Sequence, residues 1–532
     1  MIMSKDETKE KKKYKIIIIG AGISGLSCAA HLVQNGISDL LILEARNRIG
    51  GRILSIDLGG QKVELGANWI HGILGNPVFE LAIQNGLVNV VNIPKQHKIV
   101  AATEDGKQIP FIMLAEIYEA YCCFLKRCEE YFISDYVPPA GINSVGEHIN
   151  LEIELYLKNV TDAKEKSLKR QIFDCLLKRE TCISGCHSMN EIDLLELGSY
   201  TELQGGNIVL PSGYSSILTP LVKMLPEDNI VTNCPVKTIF WRRKTDNNTD
   251  TEEEEEVDDA ASDDSDKTVT DVPITNPHRV KVLCENGKKY YADHVIVTTP
   301  LGVLKEHGKT MFVPELPQFK MEAIERLNFG TVDKIYLEYD RPFLNPSITE
   351  VMLLWETDEA SSSSDDWITS NWFRKIYSFT KLTDTMLLGW ISGKEAEFME
   401  TLTFEAVAEK CTEILRKFLK DPYVPVPKKC IFTTWKKQPY SKGSYTSIGV
   451  GASQDDIESI AQPLYSSPHQ LKPSVLFAGE HTHSNFYSTC HGAYLSGRTA
   501  ALAIYEPEVS QEICIETENS DLSSWLAGIA LD

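Results

Sequence analysis

The stretch KIIIIGAGISGLSCAAHLVQNG, residues 15–36, decides the fold of this chain. Its run of isoleucines predicts a short buried strand, and residues 24–35 predict a helix. Between strand and helix stands the pattern G-x-G-x-x-G. Its glycines permit a tight turn, the close approach of a pyrophosphate and close packing of the helix on the strand, in the order Gly20, Gly22, Gly25.

A second buried strand follows in DLLILEA, residues 39–45, which completes a βαβ unit. Glu44 ends this strand, and an acid in that place binds the ribose hydroxyls of a dinucleotide. The start of the helix, which includes Ser24, offers free N–H groups to phosphates. The pattern therefore predicts a dinucleotide site, with a turn that is merely tight as the alternative.

Composition limits the class of protein. The chain has 532 residues, enough for two or three domains, and 75 acidic against 53 basic residues. This excess of acid argues against general nucleic-acid binding. Residues 246–266 hold twelve acids and no base, and we interpret them as an acidic insertion in a β-meander, disordered over about 246–276. The predicted strands on either side are residues 229–243 and 278–300.

The cysteines and the two ends of the chain indicate the cellular compartment and whether a metal is bound. The thirteen cysteines are scattered, as free thiols are in a reducing compartment, and match no zinc spacing, so we expect no metal. The basic N-terminal segment lacks an apolar region, and no apolar run is long enough to cross a membrane. The ending LAGIALD is not a peroxisomal signal. We therefore expect a cytoplasmic protein, with a nuclear fraction as an alternative.

Further motifs follow the fingerprint in order: EARNRIGGR, ELGANWIHG, VIVTTPLGVLK and FAGEHT…STCHGAYLSG. Together they resemble the flavin-containing amine oxidase family, and within it the animal polyamine oxidases. The resemblance covers about residues 14–506 outside the acidic insertion. It implies FAD as the cofactor and an α/β (α+β) fold, in which a discontinuous Rossmann-like FAD-binding domain lies beside a substrate domain of mixed sheet and helices.

The resemblance and the changes in composition together suggest domain boundaries. We expect an FAD-binding domain from residues 14–85, 205–300 and 430–506, a substrate domain from residues 86–204, which are largely helical, and 301–429, and a C-terminal tail at 507–532.

The resemblance also implies which residues contact FAD. Val236 would contact FAD only through its backbone. For Trp69 the alternative is that it is simply a core residue. The expected contacts are Gly20, Gly22, Ser24, Gly25, Glu44, Arg46, Gly51, Arg52, Gly66, Ala67, Asn68, Trp69, Val236, Trp435, Gly479, Glu480 and Thr489. Ser444 stands where the monoamine oxidases have the cysteine that bonds to flavin, so we expect FAD to be held without a covalent bond.

Two residues match catalytic positions of the family. Lys334 lies inside a predicted strand, where a lysine is commonly solvated at an edge, but it matches the lysine that holds a water near flavin N5. His71 matches the histidine that animal polyamine oxidases place near the flavin.

Four residues are expected to contact the substrate. Tyr445 fills the first aromatic position beside the flavin, and Thr489 falls on the second, so the aromatic cage is incomplete. Other polyamine oxidases carry an acid where this chain has Ser199, and Glu202 follows three residues later. This departure leaves the exact polyamine open.

The resemblance implies oxidation of an amine through hydride transfer to FAD, hydrolysis of the imine and formation of hydrogen peroxide from oxygen. The substrates would be spermine or its N-acetylated relatives. A histone-lysine demethylase of the same family and a non-catalytic FAD-binding protein are the alternatives. We expect no nucleic-acid or membrane partner and leave the oligomeric state open, with a monomer as the expectation.

Overall fold

The computed structural model describes residues 12–88, 98–134, 136–242, 280–356, 365–467 and 470–505. The acidic insertion and the C-terminal tail predicted from the sequence lie outside these residues. The strands are β1 (Lys12–Ile19), β2 (Leu40–Leu43), β3 (Ser55–Leu58), β4 (Gln61–Glu64), β5 (Ile70–His71), β6 (Lys98–Thr103), β7 (Asn207–Ile208), β8 (Ile230–Val231), β9 (Val236–Phe240), β10 (Val280–Cys284), β11 (Lys289–Val297), β12 (Phe312–Val313), β13 (Asn328–Gly330), β14 (Val332–Glu338), β15 (Ile348–Leu354), β16 (Ser378–Thr383), β17 (Met386–Ser392), β18 (Lys429–Phe432), β19 (Tyr445–Ser447) and β20 (Val475–Phe477).

Helices connect and cover these strands. The α-helices are α1 (Ile23–Gln34), α2 (Pro77–Gln84), α3 (Phe111–Ser134), α4 (Val145–Leu157), α5 (Ala163–Ser184), α6 (Leu218–Lys223), α7 (Leu301–Met311), α8 (Gln318–Arg326), α9 (Asp365–Asn371), α10 (Gly393–Met399), α11 (Phe404–Leu419), α12 (Gln454–Ala461) and α13 (Cys490–Tyr505). Within the described part of the chain, each helix is too short or too polar to span a bilayer.

The large sheet is built around β1. Its strand order is β12-β9-β10-β11-β1-β2-β8, and β20 also pairs with β11. Strand β1 runs parallel to both β11 and β2. Its isoleucines are buried on both faces, since Ile16 and Ile18 pack toward α1 and α13 while Ile17 and Ile19 pack toward α7, α8 and α12. A continuous apolar run suits such a doubly covered parallel strand.

The predicted β-meander is present as β9, β10 and β11, which pair antiparallel in that order. The stretch 229–243, however, forms two strands that lie on opposite sides of β1. Strand β8 pairs with β2, whereas β9 pairs with β10. The chain breaks between them because Asn233 has a left-handed backbone, with φ of 52°, and Pro235 follows.

The second sheet has the order β18-β14-β17-β16-β15-β6. Helices α3, α4 and α5 pack together on one face of this sheet, over β6 and β15, in the region where the sequence predicted helices. Helices α10 and α11 cover its other face. Strand β14 lies between β17 and β18, so a side chain at its centre is buried by its neighbours. The domain boundaries predicted above remain predictions.

Candidate active site

A cavity of about 1970 Å³ opens where the large sheet, the second sheet and helices α3 and α5 meet. It begins at the carboxyl ends of β1 and β2, where ligands bind in open α/β sheets. Its volume exceeds that of a pocket for one drug-sized molecule, about 300–1,000 Å³. The cavity therefore has room for a dinucleotide and a second ligand.

The three fingerprint glycines have three different surroundings. Gly20 has φ of +105°, and an added Cβ would lie 2.6 Å from Thr298 Oγ1. At Gly25 an added Cβ would lie 2.1 Å from the Gly20 carbonyl oxygen, which shows that helix and strand are in close contact. At Gly22 no described atom lies within 4 Å of an added Cβ, and the glycine faces the cavity. This open cradle at the start of α1 fits a pyrophosphate.

Glu44 is fixed at the end of β2. One carboxylate oxygen accepts the Ala21 N–H and the other accepts the Arg46 N–H, both at 2.8 Å. The carboxylate keeps free lone pairs toward the cavity, so it can also accept ribose hydroxyls. The Arg46 guanidinium donates to Ser441 Oγ at 2.9 Å, which holds it beside the same cavity.

The opposite wall contains a buried ion pair. Arg52 Nη1 lies 2.8 Å from Glu480 Oε1, and Glu480 also accepts from Thr446 Oγ1 and the Ser488 N–H. Burial acts to raise the pKa of Glu480, but Arg52, His481 and the Thr446 hydroxyl outweigh it, so the pKa is lowered. The carboxylate stays charged and fixes Arg52 against the cavity.

Lys334 is buried at the centre of β14, which contradicts the solvated place that its strand pattern alone favoured. Its Nζ donates to the carbonyl oxygens of Glu64, at 2.6 Å, and Gly66, at 2.7 Å, and lies 3.3 Å from Asn68 Oδ1. It also lies 4.8 Å from the centre of the Trp390 ring. Burial lowers the pKa of Lys334 to about 7. The amine thus grips the segment that lines the cavity and can exchange a proton near neutral pH.

His71 lies on the cavity wall at the end of β5. Its Nδ1 is 3.0 Å from Asn207 Oδ1, and because that amide oxygen can only accept, Nδ1 carries the proton and Nε2 keeps a lone pair. The surrounding protein lowers the pKa of His71, while Asn207 and Glu202 act to raise it. The imidazole is therefore a neutral acceptor at neutral pH.

Three tryptophans form much of the remaining wall. Trp69 and Trp390 stack with ring centres 5.7 Å apart, and Trp435 Nε1 donates to the Leu65 carbonyl at 3.0 Å. The sequence reasoning named Trp69 and Trp435 but missed Trp390. A tryptophan in the apolar strand β17 is indistinguishable from a core residue by pattern.

Of the four residues predicted to contact the substrate, three line the cavity and one does not. Tyr445 lines the cavity, and its hydroxyl donates to the Cys182 carbonyl. Thr489 also lines it and accepts the Gly492 N–H at the start of α13. Glu202 lies open to the cavity. Ser199 does not: it is 3% exposed, and its hydroxyl donates to the Glu196 carbonyl at 2.7 Å.

The cavity also brings together carboxylates that the sequence did not single out. Glu129 of α3 and Glu180 of α5 line it along with Glu202. Burial and then the charge of Glu202 raise the pKa of Glu129. Burial raises the pKa of Glu180 to about 7, with Arg179 opposing and Glu129 adding to the shift. These carboxylates affect one another, so they form one acidic region, which we call the acidic wall.

A helical spacing could have revealed part of the acidic wall. Leu176, Glu180 and Ile183 stand at i, i+4 and i+7 of α5, and all three line the cavity. An acid between two apolar residues on one helix face is a mild sign of a polar lining. On α3 the acid Glu129 likewise stands four residues before Ile133, and both line the cavity.

The predicted cofactor residues are assembled by the fold. Gly25 alone among them does not line the cavity, and its role is the helix packing described above. Those that line it are Gly20, Gly22, Ser24, Glu44, Arg46, Gly51, Arg52, Gly66, Ala67, Asn68, Trp69, Val236, Trp435, Gly479, Glu480 and Thr489.

Comparison with known proteins identifies the class. The model of the family described as flavin containing amine oxidoreductase matches residues 23–263 and 265–505, and the chain belongs to this family. FAD is its cofactor, and the open cradle at Gly22 with the acid Glu44 fits that group.

Relatives cover almost the whole chain. It is 35% identical to the peroxisomal N(1)-acetyl-spermine/spermidine oxidase of Homo sapiens, over 93% of this chain and 96% of that protein. It is 28% identical to probable polyamine oxidase 5 of Arabidopsis thaliana, over 91% and 97%. A solved triple mutant of putrescine oxidase has the same fold, with a TM-score of 0.65 at 16% identity, over 94% of this chain and 100% of that chain.

Proposed function

We propose that this chain oxidises polyamines at a secondary amine nitrogen. When bound, FAD supplies the two-electron chemistry, taking a hydride from the α-carbon of the amine and passing both electrons to oxygen as hydrogen peroxide. Water then converts the imine into an aldehyde and a free amine. The observation that carries this proposal is the acidic wall, which lies in the same cavity as the flavin fingerprint. The relatives named for polyamine oxidation support it.

The reacting nitrogen must be neutral, because an ammonium has no lone pair to support loss of hydride. His71 suits this requirement, since its neutral Nε2 can accept a hydrogen bond or a proton from the amine. Its hydrogen bond to Asn207 fixes both the tautomer and the direction of the ring. His71 is therefore placed to take up the proton that the reacting amine must lose.

The other nitrogens of a polyamine remain cationic at neutral pH, because their pKa values resemble that of lysine. Glu202, Glu129 and Glu180 would bind them at increasing distance from His71. The charges that shift each pKa support this order: Glu202 acts on His71 and Glu129, and Glu129 acts on Glu180. An arriving cation would lower the pKa of Glu180 and make it fully charged.

Lys334 acts from the other side of the cavity. Its three oxygen contacts hold the segment 64–68 in place, and its position matches the family lysine that holds a water near flavin N5. A lysine with a pKa near 7 can donate a proton or take one up in the reaction with oxygen. We assign it that role.

Neutral variants of the acidic wall test the substrate assignment. In Glu180→Gln and Glu129→Gln we expect KM for spermine to rise about 30-fold or more, since loss of one partner of a buried charge pair costs about 2 kcal/mol or more. The rate of flavin reduction at saturating spermine should change little. Glu130→Gln is the matched control, because Glu130 follows Glu129 on α3 but lies outside the cavity wall.

The comparison of substrates sharpens this test. N-acetylation removes one distal positive charge from the polyamine. If the mutated carboxylate binds that end of the substrate, the variant should weaken binding of the acetylated polyamine less than it weakens binding of spermine. Equal KM values in Glu130→Gln and in both variants, for every polyamine, would contradict the assignment of the acidic wall to substrate cations.

We also propose a cytoplasmic location. Each of the twelve described cysteines is free, which suits a reducing compartment. A tagged full-length chain should give diffuse fluorescence in cells. Overlap with a peroxisomal marker would contradict the proposal and agree with the name of the human relative.

A further inference from the structure

Asp333 is a fully buried acid immediately before the catalytic lysine. It is 0% exposed, and because side chains alternate along a strand it points to the face of β14 opposite Lys334. Its Oδ1 accepts from Thr433 Oγ1 at 2.6 Å and from the Trp435 N–H at 3.2 Å. Its Oδ2 has no donor among the residues that the structure describes.

The side chain that meets Asp333 is a second acid, Glu400, at the end of α10. Glu400 is 4% exposed, and its two oxygens accept the N–H groups of Lys436, at 2.8 Å, and Lys437, at 3.0 Å. Asp333 and Glu400 thus accept the N–H groups of three consecutive residues, 435–437, which brings the two buried carboxyl groups together. Two carboxylates both only accept, so a proton on one of them would let the unpaired Asp333 Oδ2 make a hydrogen bond.

The proton belongs mainly to Asp333. Burial, and then the charge of Glu400, raise the pKa of Asp333 well above its ordinary range. Burial also raises the pKa of Glu400, but two backbone N–H groups and Lys437 oppose that shift. These opposing shifts favour a neutral aspartic acid beside a charged glutamate.

We propose that Asp333, as a neutral carboxylic acid hydrogen-bonded to Glu400, is a positioning residue for Lys334 and Trp435. The connection to Lys334 runs through Thr433, whose Oγ1 donates to Asp333 and accepts the Lys334 N–H at 2.9 Å. The connection to Trp435 is direct, through its N–H.

Both positioned side chains hold the same part of the cavity wall. Lys334 Nζ donates to the carbonyls of Glu64 and Gly66, and Trp435 Nε1 donates to the carbonyl of Leu65 between them. One buried carboxyl group thus aligns two side chains on three consecutive carbonyls of the FAD cavity. Loss of this alignment would displace Lys334 without removing it.

The groups that face the pair leave its single proton in place near neutral pH. They are Lys437, Cys182 of α5 and Tyr445 of β19. Burial raises the pKa of the Cys182 thiol to about 12 and raises that of Tyr445 as well, so both are neutral. Of these three groups, Lys437 is the charged one, and it stabilises Glu400 as the carboxylate.

Two variants test whether Asp333 acts as a neutral carboxylic acid or as a charged carboxylate. Asp333→Asn keeps an oxygen for Thr433 and Trp435 and offers an N–H to Glu400, so flavin reduction should stay within about fivefold of wild type. Asp333→Leu removes the acceptor and should lower kcat about 100-fold with little change in KM, as expected for a displaced catalytic group. Equal damage in the two variants would overturn the proposal, since it would mean that a carboxylate is required.

An infrared measurement on the FAD-loaded wild type tests the proton directly, even if a variant fails to fold. The carbonyl stretch of a protonated carboxyl group should be present at neutral pH, shift with labelled aspartate and vanish in Asp333→Asn. Absence of that band in wild type would overturn the proposal. The kinetic arm rests on the proposed function, but the infrared arm does not: a chain that ignores every polyamine could still show the band.

Discussion

Lys334→Met removes the ammonium group while keeping an unbranched apolar side chain of similar length. The Gly66 carbonyl then loses its donor, which costs about 1–3 kcal/mol for a buried acceptor, whereas the Glu64 carbonyl keeps the hydrogen bond from the Tyr336 hydroxyl at 2.6 Å. An opposite contribution comes from the amine itself. Its pKa falls from 10.5 to about 7, which corresponds to about 5 kcal/mol of unfavourable burial for the charged form. The relief of burial is at least as large as the loss of the hydrogen bond, so the variant should fold and bind FAD.

The chemical step should respond far more strongly. Loss of a positioned acid–base group lowers a rate by about 10²–10⁴-fold. The assay is stopped-flow mixing, first anaerobically with spermine and then with oxygen, so that flavin reduction and reoxidation are measured separately. We expect at least one of the two half-reactions of Lys334→Met to slow by that factor.

The chain offers a matched control in Lys320. This lysine is also fully buried, donates to three carbonyls, those of Ser459, Ile460 and Gln462, and has a pKa lowered by burial to about 7, but it lies outside the cavity wall. Lys320→Met should cost comparable stability and leave both half-reactions unchanged. Wild-type rates in Lys334→Met would refute its catalytic role, and loss of FAD in that variant alone would make the residue structural.

Three further results are expected. Asn207→Asp places a charge beside His71 and raises its pKa, so the pH midpoint of flavin reduction should rise by about one unit or more for the same substrate; an unchanged profile would contradict the role of His71. Acid precipitation should release all the flavin colour, because Ser444 cannot form a thioether, and colour in the pellet would exclude non-covalent binding. Because the pKa of Asp333 is raised in the folded chain, wild type should lose stability as pH rises above about 4, by up to about 1.4 kcal/mol per pH unit. Asp333→Asn should lack this slope in calorimetric unfolding, and parallel melting curves would contradict the neutral acid.

Local patterns were sufficient for the elements around the fingerprint. The helix predicted over residues 24–35 is α1 (Ile23–Gln34), and the apolar run before it is β1, because turn chemistry and hydrophobic periodicity agree there. The surroundings of Gly22 and Gly25 match their expected roles as well. In such a segment the chemistry of a few neighbouring residues determines the structure.

Contacts between segments that are distant in the sequence could not be predicted from these local patterns. The strand pattern alone favoured a solvated Lys334, since nothing near it in sequence reveals that Glu64 and Gly66 supply its acceptors. Ser199 was placed by alignment with an acid, but the fold turns its hydroxyl toward Glu196. Glu180 joins the cavity only through the packing of α5. These cases depend on tertiary structure, which single-sequence patterns do not contain.

The central claim is that polyamines reduce the flavin of this protein. The most direct measurement is anaerobic mixing of the FAD-loaded chain with spermine, spermidine or their N-acetyl derivatives, followed by admission of oxygen. We predict that the flavin is bleached by at least one of these amines and that one hydrogen peroxide is released for each aldehyde formed. A flavin that stays oxidised with every polyamine would contradict the account, and bleaching by a methylated lysine peptide instead would favour the demethylase alternative.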